Sequence, residues 1–179
     1  MSLPSFLSPL ARVAVGTLPP LGGAPTALMF TMETQQQSNW CWAAAATSIF
    51  KFYSNSNQWS QCSVAGSCLS QSCCTNPGPC NQPFYLDSAL NVTGNLATTI
   101  TSSDSYANVQ VEINANKPIG CHISWNGGGG HFVAIYGYDA ATQDIEIGDP
   151  WYGPSIIPYN TFLNNYQGSG VWDFTYRTT

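Results

Sequence analysis

Gln35-Gln36-Gln37-Ser38-Asn39-Trp40-Cys41-Trp42-Ala43-Ala44-Ala45-Ala46 decides how the chain is read. A glutamine-rich extended run gives way there to an alanine-rich helix with a cysteine in its first turn. The pattern predicts a helix over about 41–53, because Trp42, Ala45, Ala46, Ile49, Phe50 and Tyr53 recur at three- and four-residue spacing and form one apolar stripe. This is the central helix of the fold. A thiol at a helix N-terminus meets the positive end of the macrodipole and several unpaired N–H donors, a setting that favours the thiolate, the nucleophilic form.

Upstream, Leu28, Phe30 and Met32 alternate with smaller or polar residues and predict a short strand feeding the glutamines. Residues 1–26, punctuated by Pro4, Pro9, Pro19, Pro20 and Pro25, are expected to be an extended or partly disordered arm, with the folded domain at 27–179. Downstream, Tyr85 to Val92 predicts a short helix ended by Gly94, and Tyr106, Val109 and Ile113 mark another, stopped before Pro118. The period then changes. Stretches 119–125, 131–138 and 144–149 predict strands joined by hairpin-like links, Tyr159 to Tyr166 a short helix, and Val171 to Tyr176 a closing strand. Helices first and strands later argue for an α+β domain, a helical half followed by an antiparallel sheet half.

The 179 residues are enough for one domain with a sizeable core. Four basic and nine acidic residues make only 7% of the chain charged, so Asn, Gln, Ser, Thr and Gly supply the polar surface. With a formal charge of -5 and basic groups only at Arg12, Lys51, Lys117 and Arg177, no patch is available to neutralise phosphates or anionic lipids. Nucleic acid and membrane surfaces are excluded as expected partners. The N-terminal Leu/Ala/Val stretch lacks the basic n-region of a signal peptide.

Seven cysteines, an odd number, fit one free thiol plus three disulfides. Cys41 is the free one on this reading, and Cys62, Cys68, Cys73, Cys74, Cys80 and Cys121 supply the bridges. Five of them crowd a Ser/Gly/Asn/Pro-rich stretch at 62–80 that is too poor in large apolar residues to hold itself together. Such density implies an oxidising compartment, hence a secreted or extracellular protein. No C-x-x-C pair occurs, which argues against zinc.

A cysteine nucleophile needs a base, and the chain has two histidines, His122 and His131. His131 follows four glycines and opens an apolar strand, so it stands at a strand end beside a loop. His122 lies mid-strand, where a histidine more often packs than reacts, and His131 is preferred. Asp149, in Gly148-Asp149-Pro150-Trp151, can orient that imidazole or simply cap the Asp-Pro turn; local pattern does not decide between them. For the oxyanion, the Cys41 N–H and an amide from Gln35, Gln36 or Gln37 are at hand. Trp40, Trp125, Trp151 and Tyr152 are available to line an apolar cleft.

Gln35 lies six positions before Cys41, and Trp40-Cys41-Trp42-Ala43-Ala44 resembles the nucleophile-bearing helix start of papain-like cysteine peptidases. The resemblance extends over about residues 28–176 to the bacterial papain-like peptidases that include secreted avirulence proteases. It rests on Gln61-Cys62, Cys73-Cys74, Cys80-Asn81, His131-Phe132-Val133-Ala134-Ile135-Tyr136-Gly137-Tyr138 and Asp149-Pro150-Trp151-Tyr152-Gly153. It implies Cys41 as nucleophile, His131 as general base and acid, Asp149 as the orienting residue and Gln35 as oxyanion donor, with Gln36 a competitor in the triplet. Asn often stands in such enzymes where this chain has Asp149. The implied activity is peptide hydrolysis by a monomer on protein or peptide substrates, without a cofactor. Two other readings stay open: amidase, deamidase or transglutaminase-like chemistry on the same fold, and a disulfide-stapled binding protein in which Cys41 is a buried apolar group.

Overall fold

Alternation in the C-terminal half builds a seven-stranded antiparallel sheet, and the helices pack on its two faces. The structure is a computed structural model that describes residues 25–54 and 56–179. The expected arm at 1–26 lies outside them apart from Pro25 and Thr26. In chain order the elements are β1 (Thr26–Ala27), α1 (Cys41–Ser54), α2 (Gln61–Leu69), α3 (Leu86–Thr93), β2 (Leu96–Ile100), α4 (Tyr106–Asn114), β3 (Ile119–Trp125), β4 (Gly130–Asp139), β5 (Asp144–Gly148), β6 (Ser155–Pro158), α5 (Tyr159–Asn165) and β7 (Gly170–Thr178). The sheet order is β2-β7-β3-β4-β5-β6, with β1 added against β4. The fold class is α+β. Among the described residues no helix is long and apolar enough to cross a membrane.

The alternation in β4 sorts its side chains onto two faces. Phe132, Ala134 and Tyr136 pack with α1, α2 and α3, whereas Val133 and Ile135 join Ile119, Cys121 and Ile123 under α4 and α5. α1 carries more than the expected stripe: all of Cys41 to Phe50 is buried, so this helix is enclosed by the sheet, α2 and α3. A helix buried all round is apolar all round, and four consecutive alanines let its neighbours approach closely. α3 stops where glycine permits it, with Gly94 at φ 78° as the left-handed cap.

Four local expectations are corrected. The strand predicted at 28–32 is two residues long and earlier, at Thr26–Ala27; Leu28 N–H still reaches Tyr136 O (2.8 Å), but Phe30 N–H turns back to Leu28 O and the ladder ends. The cysteine-rich stretch contains a helix, α2, started by a reciprocal cap between Ser60 and Ser63. Strands β2 and β6 add to those expected from alternation: β2 has only two partly buried ends, and β6 is four residues with alternate positions exposed.

The fourth correction concerns the bridges. Two disulfides form, Cys62–Cys74 and Cys73–Cys80, not three. Cys41, Cys68 and Cys121 are free thiols. Cys121 sits mid-strand in β3, fully buried in the core beneath the sheet, whereas Cys68 lies on α2; the two belong to different layers of the fold. Parity of cysteine count cannot see that separation.

Candidate active site

Cys41 is the first residue of α1, nearly buried at 9% exposure. The first backbone bond of this helix runs from Ala44 N–H to Trp40 O (2.9 Å), so helical geometry offers no acceptor to the N–H groups of Cys41, Trp42 and Ala43. The residues leading into the helix are fixed by a segment 40 positions further on. Trp40 Nε1–H donates to Cys80 O (2.8 Å), Trp42 Nε1–H to Gln82 O (3.1 Å), and Asn39 N–H to Asn81 Oδ1 (2.9 Å), while Asn81 Nδ2 holds Ser38 Oγ (2.9 Å). Cys80 is bridged to Cys73. The disulfide-tied segment thus clamps the turn on both sides of Cys41. Trp40 is buried at 1% and acts in this clamp rather than as cleft lining.

His131 opens β4. The antiparallel register Ala134↔Gly148 carries the residues just beyond β5 back toward the start of β4, which brings Asp149 to His131. His131 Nε2–H donates to Asp149 Oδ1 (2.9 Å). The carboxylate is buried and saturated: Oδ1 also accepts from Trp151 N–H (2.7 Å) and Tyr152 N–H (2.8 Å), and Oδ2 accepts from the Tyr166 hydroxyl (2.7 Å). Trp125 stacks on the His131 ring at 6.1 Å between centroids, and Tyr152 meets it edge-on at 6.2 Å. The same Asp149 carboxylate therefore bonds the imidazole and caps its own turn, the two contacts that local pattern leaves as alternatives.

Electrostatics follow from these contacts. Burial works against a charged His131, but the hydrogen bond to Asp149, the charge of that carboxylate and the nearby Cys41 overcome it and raise the imidazole from 6.5 to about 9. With Nε2 engaged by Asp149, Nδ1 is the ring nitrogen left free. Burial alone would raise Asp149, yet its bonds to His131, Tyr152 and Tyr166 hold it below the usual carboxylate value. Burial and the neighbouring Asp149 carboxylate push the Tyr166 phenol up, so it stays a donor. Burial raises the Cys68 thiol to about 11 and Cys121 well above its ordinary value.

Gln35 borders a recess of about 200 Å³ with His131, Trp125, Trp151 and Tyr152. Its backbone N–H bonds Pro150 O (2.9 Å), tying the glutamine run to the Asp149 turn. Its Nε2 donates to Gln37 O and Ser38 O, both at 2.8 Å. Oε1 is buried and finds no partner among the described residues. Gln36 is exposed, and its N–H is held by Gln61 Oε1 (2.8 Å). A second, larger cleft of about 330 Å³ opens on the other side of Gly130 and His131, reaching Cys41, Trp42, Phe84, His122 and Phe132.

Four contributions are not legible in the sequence pattern: Tyr166 on Asp149, Trp125 as the ring stacked on His131, Asn81 in its clamping role, and Gln61 as an anchor of the glutamine run. Buried Gln61 also holds Thr34 O and Glu33. Nothing local marks Tyr166, which reaches Asp149 only through the path of α5.

Residues 25–167 match the family model described as papain-like cysteine protease AvrRpt2. The chain belongs to this family. The search among curated proteins returned no match. Among solved structures, the chain is similar to a double glycine motif protease from an AMS/PCAT transporter, crystallised in complex with the leader peptide. The identity is 19%, the TM-score 0.49, and the match covers 86% of this chain and 95% of that one. It is also similar to the Pseudomonas avirulence protein AvrPphB, at 11% identity and a TM-score of 0.42, covering 84% of this chain and 97% of that one. The family assignment rests on the sequence match. It makes the chain a cysteine protease and sets aside the reading as a stapled binding protein.

Proposed function

We propose that the protein hydrolyses peptide bonds in protein or peptide substrates through Cys41, His131 and Asp149, with Gln35 as an oxyanion donor and a thioester intermediate. The observation that carries this reading is the chain of side chains from the α1 N-terminus through His131 to a carboxylate with four donors. The Cys41 thiolate attacks the substrate carbonyl carbon. The oxyanion is met by the Cys41 N–H and by Gln35. Its amide must exchange one of its bonds, to Gln37 O or Ser38 O, for one to the substrate, and the unpartnered Oε1 leaves the amide unanchored at its other end. Collapse breaks the C–N bond as His131 Nδ1–H protonates the leaving amine. His131 then takes a proton from water, which attacks the thioester and releases the acid and the thiolate. Asp149 fixes the ring and offsets the imidazolium charge. The two disulfides support action as a secreted protein outside reducing compartments.

The test is alkylation of native protein by limiting iodoacetamide across pH, with the modified cysteine located by mass spectrometry. Below pH 7 labelling is expected at Cys41 in preference to Cys68 and Cys121, and it slows in His131→Ala. Labelling that rises only near pH 8.5, the ordinary thiol value, and ignores His131→Ala would overturn the proposal. Release of ammonia from a glutamine-containing protein without chain cleavage would transfer the site to deamidation.

A further inference from the structure

Gln61, the first residue of α2, is buried at 1%, and both ends of its amide are spent on the chain around Gln35. Oε1 accepts from Gln36 N–H (2.8 Å), and Nε2 donates to Thr34 O (2.9 Å) and to Glu33 Oε2 (3.0 Å). One side chain thus grips the backbone on either side of Gln35. Residues 33–36 belong to no helix or strand, so regular pairing does not fix their path, and contacts of this kind must. Gln35 N–H is held by Pro150 O (2.9 Å), beside Asp149. Glu33 carries the same network to the helix that begins at Cys41: its N–H donates to Ser48 Oγ (2.9 Å), and its carboxylate pairs with Lys51. The start of α2 is itself anchored, by the Ser60–Ser63 cap and by the Cys62–Cys74 bridge.

We propose that Gln61 is a positioning residue of the oxyanion site: by holding the backbone at Thr34 and Gln36 it sets where the Gln35 amide stands relative to Cys41. Gln61 acts only through Gln35 and touches no substrate. An oxyanion donor works within about 2.7–3.1 Å of the developing charge, and a displacement of about 1 Å can cost about 100-fold. A side chain that fixes both flanks of the donor therefore controls rate as well as shape.

This inference rests on Gln35 as the oxyanion donor, and its test separates the two. It compares two reactions of Cys41. With benzyloxycarbonyl-glycine p-nitrophenyl ester the sulfur attacks the carbonyl carbon, an oxyanion forms, the C–O bond breaks with release of p-nitrophenolate, and water hydrolyses the thioester. Iodoacetamide is attacked at a saturated carbon with loss of iodide, and no oxyanion arises. The ester kcat/KM, taken above that of Cys41→Ala, is divided by the iodoacetamide rate constant of the same protein. In Gln61→Met this quotient is expected to fall about 10- to 100-fold, with the iodoacetamide rate as in the parent. In a Gln35→Ala background the same substitution is expected to change it by less than about twofold, since nothing is left to position. Gln61→Glu, which keeps the length but sets an oxygen against Glu33 and Thr34 O, serves as the second variant and is expected to behave alike. A quotient unchanged in whichever variant keeps the iodoacetamide rate overturns the proposal, and so does an undiminished further loss in the Gln35→Ala background. Loss of iodoacetamide reactivity in both variants makes Gln61 a residue of the fold and overturns it too. Gln35→Ala with the parent quotient instead overturns the assignment of Gln35, and a parent no faster on the ester than Cys41→Ala overturns the hydrolytic reading itself.

Discussion

Asp149→Asn removes a charge from the site while leaving its shape. The asparagine carbonyl can still accept from His131 Nε2–H and from the N–H groups of Trp151 and Tyr152, and its amide can donate to Tyr166, whose hydroxyl turns from donor to acceptor. What disappears is the field that holds His131 protonated. The imidazole is raised from 6.5 to about 9; at 1.36 kcal/mol per unit, the pairing favours imidazolium by on the order of 3 kcal/mol. Asp149 contributes the leading favourable interactions, so His131 is expected to fall by at least about one unit in Asp149→Asn. The chain has two histidines, and protein labelled with 13C at histidine Cε1 gives two signals to follow by NMR, with His122→Leu assigning them. Parent protein in which both signals titrate near 6.5, or a high value that Asp149→Asn leaves in place, would refute the argument.

The same shift has a thermodynamic consequence with a definite sign. His131 is raised in the folded state, so its contribution to stability is fully present below about pH 6.5 and is lost as pH rises through about 9. At about 2–4 °C per kcal/mol for a domain of this size, the parent Tm should fall by about 6–12 °C between pH 6 and pH 10 on this account, and Asp149→Asn should flatten that slope. Asp149 itself is lowered below 3.8; its contribution is present above that value and is lost as pH falls below it.

Asp149→Ala should lower stability and turnover together, because it leaves Trp151 N–H, Tyr152 N–H and the Tyr166 hydroxyl unmet at about 1–3 kcal/mol each; denaturant unfolding beside a turnover assay checks this, and a loss of turnover alone would contradict it. Tyr166→Phe deletes one buried bond to a charged group, about 1.5–3 kcal/mol, and should lower Tm while His131 keeps its raised value, which the same NMR titration reads. Gln35→Ala should reduce kcat by about 100- to 1,000-fold with little change in KM, and a change below threefold would confine Gln35 to holding its turn. Cys80→Ser opens the seven-residue bridge to Cys73, worth about 2–3 kcal/mol in the chain-entropy account; Tm should drop by about 5–10 °C, and iodoacetamide labelling of Cys41 should slow.

Legibility in the sequence follows periodicity and fails where contacts are remote. α1 announces itself through Trp42, Ala45, Ala46 and Ile49, and β3, β4 and β5 through alternation. Antiparallel pairing of β4 with β5 then puts the start of one beside the end of the other, and Asp149 beside His131. Asp149 nevertheless reads as one of two alternatives, orienter or cap, because a pattern of four residues cannot show that one carboxylate takes donors from both directions. α2 is hidden by composition: Gln61 to Leu69 has two buried apolar residues, Val64 and Ala65, too few for a stripe. The edge strands β2 and β6 bury little. Tyr166 and Asn81 act across 17 and 42 positions, distances over which no local signal carries. The third bridge is an error of arithmetic over topology, since Cys121 belongs to a strand core that Cys68 on α2 does not reach.

The scarcity of charge also bears on how Cys41 is held. Charged side chains would meet Cys41 with strong fields of their own; here the turn before α1 is fixed by neutral donors and acceptors, Asn39 and Ser38 to Asn81, Trp40 to Cys80 O, Trp42 to Gln82 O. The charged groups near Cys41 are then the helix terminus and the His131–Asp149 pair, with the His122–Asp173 pair at the same cleft. Neutral clamps are individually weak, each contributing about 1 kcal/mol net, and a loop of Ser, Asn, Gly and Pro would not stay in place on that alone. The Cys73–Cys80 bridge supplies the missing rigidity without adding a charge. This links the oxidising compartment read from cysteine density to the setting of Cys41: the bridge preserves the geometry of the clamp, and the clamp brings no charge of its own to the turn.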